Sequence, residues 1–160
     1  MIDSDGFRAN VGIVMCNQKG QLFWARRAGM EAWQFPQGGI RQDETSDMAM
    51  YRELKEEIGL HPEHVEIIAC TNDWLRYWLP EKFIRHNTHP LCIGQKQIWY
   101  LLRLLVDESH VKLDGSKKQE FDNWHWIDYW APVQKVISFK QNVYEQALKE
   151  LAPYIFPDHT

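Results

Sequence analysis

Cysteine is scarce in this 160-residue sequence, and no two cysteines are spaced as a redox or metal-binding pair. Cys16, Cys70 and Cys92 are widely separated and odd in number, which argues against a disulfide framework. The sequence also lacks a run of about 18 apolar residues that would span a membrane. Its acidic start, MIDSDGFRANVG, lacks the apolar core of a secretory signal. We therefore expect free thiols and a cytoplasmic location.

Positive charge is not in excess, since the formal net charge is −4 at pH 7. A global positive field that would bind nucleic acid non-specifically is therefore absent, and we expect no DNA partner. An anionic substrate would have to be held by local basic residues or by metal ions. Aromatic residues, in contrast, are abundant, with eight Trp, six Tyr and seven Phe. Many must lie in a core, but some are candidates for stacking a base or another flat ligand.

No repeat, low-complexity tract or linker divides the chain, and its length fits one domain over residues 1–160. Hydrophobic residues recur with the periods of strands and helices. The runs that predict strands are 11–17, 21–27, 65–71, 73–79, 95–106 and 124–130, and the run 32–39 predicts a short strand that ends in a Pro/Gly loop. The segments that predict helices are 45–58, 133–138 and an amphipathic C-terminal helix over 140–156. Because a sheet buries both faces when helices cover it, we predict an α/β fold with a mixed sheet between helices.

Three glutamates, Glu53, Glu56 and Glu57, crowd the end of the helix predicted over 45–58. At positions i, i+3 and i+4 their charges repel by a few tenths of a kcal/mol per pair. The negative end of the helix dipole adds to this cost. The pattern leaves two interpretations open, a solvated acidic face or a site that holds a compensating cation.

The residues before these glutamates favour a cation site. Gly38-Gly39 offers backbone that can approach a ligand closely. Glu44 can fold back across the start of the helix, where Arg52 can pair with it and hold the loop in place. Carboxylate and carbonyl oxygens that converge in this way suit hard cations such as Mg²⁺ or Mn²⁺.

The segment from Gly38 to Leu60 also has the spacing of a known motif. Five residues separate Gly38 from Glu44, and seven more precede the run RELKEEIGL, which ends at Leu60. The segment resembles the Nudix box at every defined position, and the chain is identified as a member of the Nudix hydrolase family. The resemblance implies an α/β/α sandwich with a central mixed sheet, a core over about 6–149 and a loop–helix–loop catalytic motif. It also implies hydrolysis of a diphosphate linked to another moiety, with two or three divalent cations.

The resemblance further implies roles for individual residues. The metal ligands would be the three glutamates of the box, helped by the carbonyl of Gly38, and Glu44 with Arg52 would orient the motif. Glu120, the first residue of EFDNWHWIDYW, resembles an additional carboxylate of the subfamily that binds a metal or acts as the general base. The alternative is an acidic loop residue without such a role. The general base stays open between a box glutamate and a carboxylate outside the box. We expect Mg²⁺ as the cofactor, with Mn²⁺ or another divalent ion as a substitute.

Segments outside the box resemble one subfamily, the bacterial RNA pyrophosphohydrolases and the similar dinucleoside-polyphosphate hydrolases. The segments are GFRANVGIV (6–14), WQFPQGGI (33–40), DWLRYWLP (73–80), CIGQKQIWYLL (92–102), EFDNWHWIDYW (120–130) and VISFKQNVY (136–144). The resemblance implies removal of pyrophosphate from a 5′-triphosphorylated RNA end, which leaves 5′-monophosphorylated RNA and promotes mRNA decay. Hydrolysis of diadenosine tetra- or pentaphosphate is the alternative.

Local basic and aromatic residues are candidates for holding such an RNA. Arg8 and Lys140 are the first candidates for phosphate contact and Arg27 is a further one, with a solvated surface charge as the alternative for each. Phe139 beside Lys140 joins an aromatic platform to a cation, as in the stacking of unpaired RNA; the alternative is a core phenylalanine. Residues 81–91, EKFIRHNTHPL, are less basic than RNA contact would favour, so we expect only the first few nucleotides to be read. We expect a monomer, and the sequence leaves a protein activator open.

Overall fold

The computed structural model describes residues 1–157 of the chain. In this range the strands are β1 Phe7–Cys16, β2 Leu22–Arg27, β3 Trp33–Gln34, β4 Gln37–Gly39, β5 Val65–Cys70, β6 Leu75–Trp78, β7 Gly94–Leu104 and β8 Phe121–Ile127. The α-helices are α1 Ser46–Ile58, α2 Ala131–Lys135 and α3 Gln141–Leu151. None of the helices in residues 1–157 has the length and apolar character needed to cross a membrane.

The strands form one mixed sheet around the pair β1 and β7. These two run parallel, from Phe7 opposite Gly94 to Cys16 opposite Arg103. Strands β2 and β4 pair antiparallel with β1, and β5 and β6 pair antiparallel with β7. Strands β3 and β8 both pair with β2. The parallel pair and the antiparallel strands around it make the sheet mixed, as predicted.

Two hydrophobic cores flank the sheet, because successive side chains of a strand point to opposite faces. On β1, Val11, Ile13 and Met15 pack in the same core as the apolar face of α1. Val14 and Cys16, which point the other way, pack in the core that contains the apolar face of α3. The predicted α/β/α sandwich is therefore confirmed.

Helix α1 begins and ends at the residues that its sequence favours. Thr45 is the N-cap, and its side-chain oxygen accepts a hydrogen bond from the Met48 backbone N–H at 3.2 Å. Gly59 ends the helix in the left-handed conformation, with φ 73°, which costs glycine little. Met48 lies off the apolar stripe, with 54% of its surface exposed. The buried face is formed by Ala49, Met50, Leu54 and Ile58.

The C-terminal helix is shorter than predicted. The pattern predicts a helix over 140–156, whereas α3 ends at Leu151 and a 3-10 turn follows over Ala152–Tyr154. Pro153 lies in this turn, and a proline has no N–H to continue an α-helix. The helix is amphipathic, as predicted, and its buried face includes Val143, Ala147, Leu148 and Leu151.

Prolines also explain two other differences from the prediction. The run 32–39, predicted as a short strand that ends in a Pro/Gly loop, instead forms two short strands, β3 and β4, with Pro36 between them because proline cannot donate a ladder hydrogen bond. The short helix predicted over 133–138 begins earlier as α2, with Pro132 in its first turn, where proline is favoured. The strand predicted over 124–130 is displaced toward the N-terminus as β8 and ends at Ile127, before a turn that leads into α2.

Candidate active site

The glutamates of α1 line an acidic cavity of about 370 Å³. Three of the lining residues, Glu53, Glu56 and Glu57, come from the helix. Glu120, the residue directly before β8, lines the same cavity. The structure therefore brings together all four carboxylates that the sequence singled out. The other residues that line this acidic cavity are Gly39, Arg41, Arg52, Ser116 and Lys118.

Strand β4 brings backbone against these carboxylates. A Cβ atom added to Gly38 would overlap the carboxyl group of Glu53. Any other residue at position 38 would therefore displace Glu53 from the cavity wall. The glycine predicted to approach a ligand thus lies directly beside a carboxylate predicted to bind the metal.

Arg52 ties the loop before α1 to the helix. Its Nε donates to Glu44 Oε2 at 2.6 Å, and its Nη2 donates to Glu44 Oε1 at 2.9 Å and to the Gly39 carbonyl at 2.8 Å. The hydrogen bond from Arg52 is the largest cause that lowers the pKa of Glu44 to about 2. The Glu44–Arg52 pair predicted from their spacing is therefore formed, and it fixes the loop that borders the cavity.

Glu57 is the most buried of the carboxylates, with 3% of its surface exposed. Burial raises its pKa well above the usual value, and the neighbouring Glu53 and Glu120 raise it further. Burial is also the main cause that raises the pKa of Glu53. Within residues 1–157, Glu57 Oε2 has no hydrogen-bond partner. A buried carboxylate oxygen without a partner costs free energy, so Glu57 Oε2 is suited to contact a bound cation.

Two arginines, Arg52 and Arg41, form ion pairs with two of these carboxylates, Glu53 and Glu56. Arg52 Nη1 contacts Glu53, and it also lies 3.4 Å from Glu56 Oε2, while Arg41 lies 3.9 Å from Glu56 Oε1. In the described part of the chain, no three His, Cys, Asp or Glu side chains form a ready metal-binding group. The donor set is nevertheless all oxygen, as Mg²⁺ and Mn²⁺ prefer. With Glu57 Oε2 unpartnered, these residues fit a divalent cation.

A buried lysine marks a second part of the site. Lys140 is 8% exposed, and its Nζ lies 3.4 Å from the side-chain oxygens of Gln34 and Gln37. No Asp or Glu oxygen of residues 1–157 lies within 4.0 Å of this Nζ, so Lys140 has no ion-pair partner among them. Burial lowers the pKa of Lys140 to about 8, and the charge of Arg27 lowers it too. An ammonium without an acidic partner beside a second cation is suited to an anionic ligand.

Phe139 lies at the edge of the core with other aromatic rings. Its ring centroid is 5.8 Å from Tyr77 and 5.8 Å from Phe83, and the side chain is half-buried. Lys140 Nζ lies 5.6 Å from the centroid of the same Tyr77 ring. Phe139 therefore contacts the core and still presents surface to solvent beside a cation.

The two predicted arginines are both exposed. Arg8, on β1, lines a cavity of about 440 Å³ together with Phe83 and Gln95. Arg27 ends β2 and makes no ion pair within residues 1–157. The adjacent Arg26, in contrast, is paired with Asp122 at 2.8 Å and with Glu31 at 3.0 Å. The cation that remains available at the end of β2 is thus Arg27.

Gln37 connects the acidic cavity to the buried lysine, although its sequence context does not single it out. Its backbone makes a hydrogen bond that lowers the pKa of Glu57, and its side-chain oxygen accepts from Lys140 at 3.4 Å. The only sequence signal is its position directly before Gly38. Ser116 and Lys118 were missed as well, because nothing in their local pattern indicates that their loop folds onto α1.

Comparison with known proteins places the site in a family context. The model of the NUDIX domain matches residues 6–149. A Thioalkalivibrio sulfidiphilus protein named RNA pyrophosphohydrolase is 60% identical over 99% of this chain and 91% of its own length. A Pseudomonas aeruginosa protein of the same name is 59% identical over 96% of both chains. Both alignments cover nearly the whole length of this chain and of the relative.

Solved structures show the same fold at low sequence identity. The E. coli dihydroneopterin triphosphate pyrophosphohydrolase superposes with a TM-score of 0.70 and 18% identity, over 90% of this chain and 98% of its own. A C. elegans Ap4A hydrolase gives a TM-score of 0.62 and 17% identity, over 91% of this chain and 98% of its own. At such identities the similarity describes the fold alone.

Proposed function

This chain belongs to the Nudix family, and we propose that it removes pyrophosphate from the 5′-triphosphate end of RNA, which leaves 5′-monophosphorylated RNA for decay. The observation that carries the proposal is the buried ammonium of Lys140, which lacks an acidic partner in residues 1–157. Gln37 links this cation to the acidic cavity, and Phe139 stands beside it. In this proposal the cation would hold phosphate, the aromatic ring would stack on a base and the carboxylate cluster would bind the metal ions.

The acidic cavity would hold the divalent cations, for which we propose Mg²⁺. The residues that would bind them are Glu53, Glu56, Glu57, Glu120 and the carbonyl of Gly38. When bound, such ions would neutralise phosphate charge and lower the pKa of a water molecule, so that it is more easily deprotonated for in-line attack. The buried, unpartnered Oε2 of Glu57 supports this assignment.

The remaining residues position the substrate and move protons. Lys140 and Arg27 would donate charge-assisted hydrogen bonds to the phosphates, while the Glu44–Arg52 pair keeps the loop and Gly39 in place. One carboxylate must take the proton from the attacking water. We propose a box glutamate or Glu120 for this step, since all of them line the same cavity.

We expect Phe139→Ala to lower kcat/KM on triphosphorylated RNA by about tenfold. The reason is the loss of base stacking, which contributes about 1–3 kcal/mol per base. Turnover of inorganic tripolyphosphate, which has no base, should change by less than about twofold. The measurement is a pair of steady-state assays on the purified variant. Equal losses on both substrates would assign Phe139 to packing instead.

The pH dependence of RNA turnover should report Lys140. Its ammonium form predominates below pH about 8, so anion binding should weaken as the pH rises through that value. The measurement is the ratio of kcat/KM for wild type to that for Lys140→Arg between pH 7 and pH 9.5, because arginine stays charged over this range. We expect the ratio to fall by about tenfold per pH unit above pH 8. A ratio that is independent of pH would remove Lys140 from phosphate binding.

A side-by-side assay tests the proposed substrate. Triphosphorylated RNA and diadenosine tetraphosphate would be compared under identical Mg²⁺ concentrations, since the same carboxylates would serve both. We expect the higher kcat/KM on RNA. Negligible turnover of RNA together with rapid turnover of the dinucleotide would replace the proposal with the alternative predicted from the sequence.

A further inference from the structure

A second cavity adjoins the acidic cavity through Arg41. It has a volume of about 480 Å³, and we call it the Trp74 cavity. Arg41 lines both cavities. Glu44, which also lines the Trp74 cavity, is bound to Arg52 on the wall of the acidic cavity. The side chain of Arg41 would therefore lie between a group in the Trp74 cavity and a polyphosphate in the acidic cavity.

The lining of the Trp74 cavity suits a flat, mainly apolar ring with polar edges. Ala9 and Ile98 come from the neighbouring strands β1 and β7, and Ile40 follows β4. Trp74 adds an aromatic ring that is half-buried, and Ser46 adds a hydroxyl group. Apolar and aromatic walls with a few polar groups are typical of sites that bind small molecules.

The indole of Trp74 contacts a lysine that is itself paired with an acid. Lys96 Nζ lies 4.8 Å from the centroid of its ring, and the same Nζ is held by Asp3 at 3.0 Å. A cation at this distance is attracted by the aromatic face. A ring restrained by such a contact loses less conformational freedom when a ligand stacks on it.

The charge of Arg41 indicates what would be attached to such a ring. Its side chain is 66% exposed, and the acid paired with it, Glu56, is 3.9 Å away. This guanidinium therefore has N–H groups available for a phosphate between the two cavities. A ligand with a ring on one side of Arg41 and a polyphosphate on the other would be a nucleotide.

We propose that the Trp74 cavity is a nucleobase subsite, separate from the ring of Phe139, for a nucleotide whose phosphates enter the acidic cavity. The inference rests on the proposed polyphosphate chemistry of that cavity. The base could come from the second nucleoside of a dinucleoside polyphosphate or from a nucleotide of the RNA. Both sources share the chemistry of a planar base stacked on Trp74 with its phosphate near Arg41.

Binding of the base can be tested without turnover. Protein labelled with 5-fluorotryptophan would be titrated with AMP and with ribose 5-phosphate, which carries the same phosphate and no base. The ¹⁹F signal of Trp74 is assigned by its absence in Trp74→Phe. We expect AMP to shift this signal and ribose 5-phosphate to leave it unchanged. No shift at millimolar AMP, or equal shifts with both compounds, would overturn the proposal, and neither result depends on whether RNA is hydrolysed.

Kinetics then identify the source of the base. We expect Trp74→Ala to raise KM by about tenfold, with kcat changed less than about twofold, and Trp74→Phe to keep most of the wild-type affinity. An increase confined to diadenosine tetraphosphate assigns the subsite to the second nucleoside, and an increase on triphosphorylated RNA assigns it to the RNA. Trp130→Ala, which removes a tryptophan 48% exposed elsewhere, is the control and should change neither. Unchanged KM on both substrates in Trp74→Ala would overturn the proposal.

Discussion

Replacing Glu57 with Gln is expected to lower Mg²⁺-dependent kcat/KM by about three orders of magnitude while the protein still folds. Glutamine has the shape of glutamate and lacks its charge, so the variant loses an anionic oxygen that would bind the cation. Folding should survive because burial, Glu53 and Glu120 already raise the pKa of Glu57 in the metal-free protein. The neutral amide therefore adds no new buried charge.

Thermal unfolding gives this variant a readout besides turnover. Mg²⁺ that binds only the folded protein raises its melting temperature by mass action, so the metal should stabilise wild type and have little effect on Glu57→Gln. Glu63→Gln is the matched control, because Glu63 is an exposed glutamate beyond the end of α1. Wild-type turnover in Glu57→Gln, or equal stabilisation of both proteins by Mg²⁺, would contradict the metal-site assignment.

Lys140→Met should have the second largest effect, a loss of about 100-fold in kcat/KM on triphosphorylated RNA. Hydrogen bonds to charged groups contribute about 1.5–3 kcal/mol, and tenfold in affinity corresponds to about 1.4 kcal/mol. Methionine is long and unbranched, so it can fill the space of the lysine side chain. Removing a buried charge that lacks an acidic partner in the described chain should leave the melting temperature unchanged or raise it.

The control for this variant is Lys149→Met. Lys149 is 68% exposed and paired with Glu145 at 3.2 Å, so its replacement should change RNA turnover by less than about twofold. If Lys140→Met melted well below wild type, Lys140 would be a structural residue. If it folded and kept wild-type activity on RNA, phosphate binding would have to be assigned to Arg27 or Arg8 instead.

The parts of the site that could be predicted are those that depend on local spacing. The turn of a helix places Glu53 and Glu57 on one face, and Glu44, just before the helix, can fold back to pair with Arg52. The cap at Thr45 and the stop at Gly59 follow from the conformations that these residue types favour. Local spacing thus predicts the arrangement of the helix glutamates, whereas the metal-binding role and the part of Glu120 are predicted from the resemblance to the Nudix family.

The parts that could not be predicted depend on contacts between distant segments. Nothing near Lys140 indicates that its ammonium is buried between Gln34 and Gln37, about 100 residues earlier in the chain. The same holds for Tyr77, whose ring meets both Phe139 and Lys140. The periodicity of hydrophobic residues shows which face of a helix or strand is apolar, but it does not show which helices and strands pack together.

The most direct test of the proposed function is the mass of an RNA after reaction. A short RNA oligonucleotide with a 5′-triphosphate would be incubated with the protein and Mg²⁺ and examined by mass spectrometry, with Glu57→Gln in parallel. We expect wild type to convert it to the oligonucleotide with a single 5′-phosphate and the variant to leave it unchanged. An RNA that keeps its triphosphate while diadenosine tetraphosphate is consumed under the same conditions would contradict the proposed function.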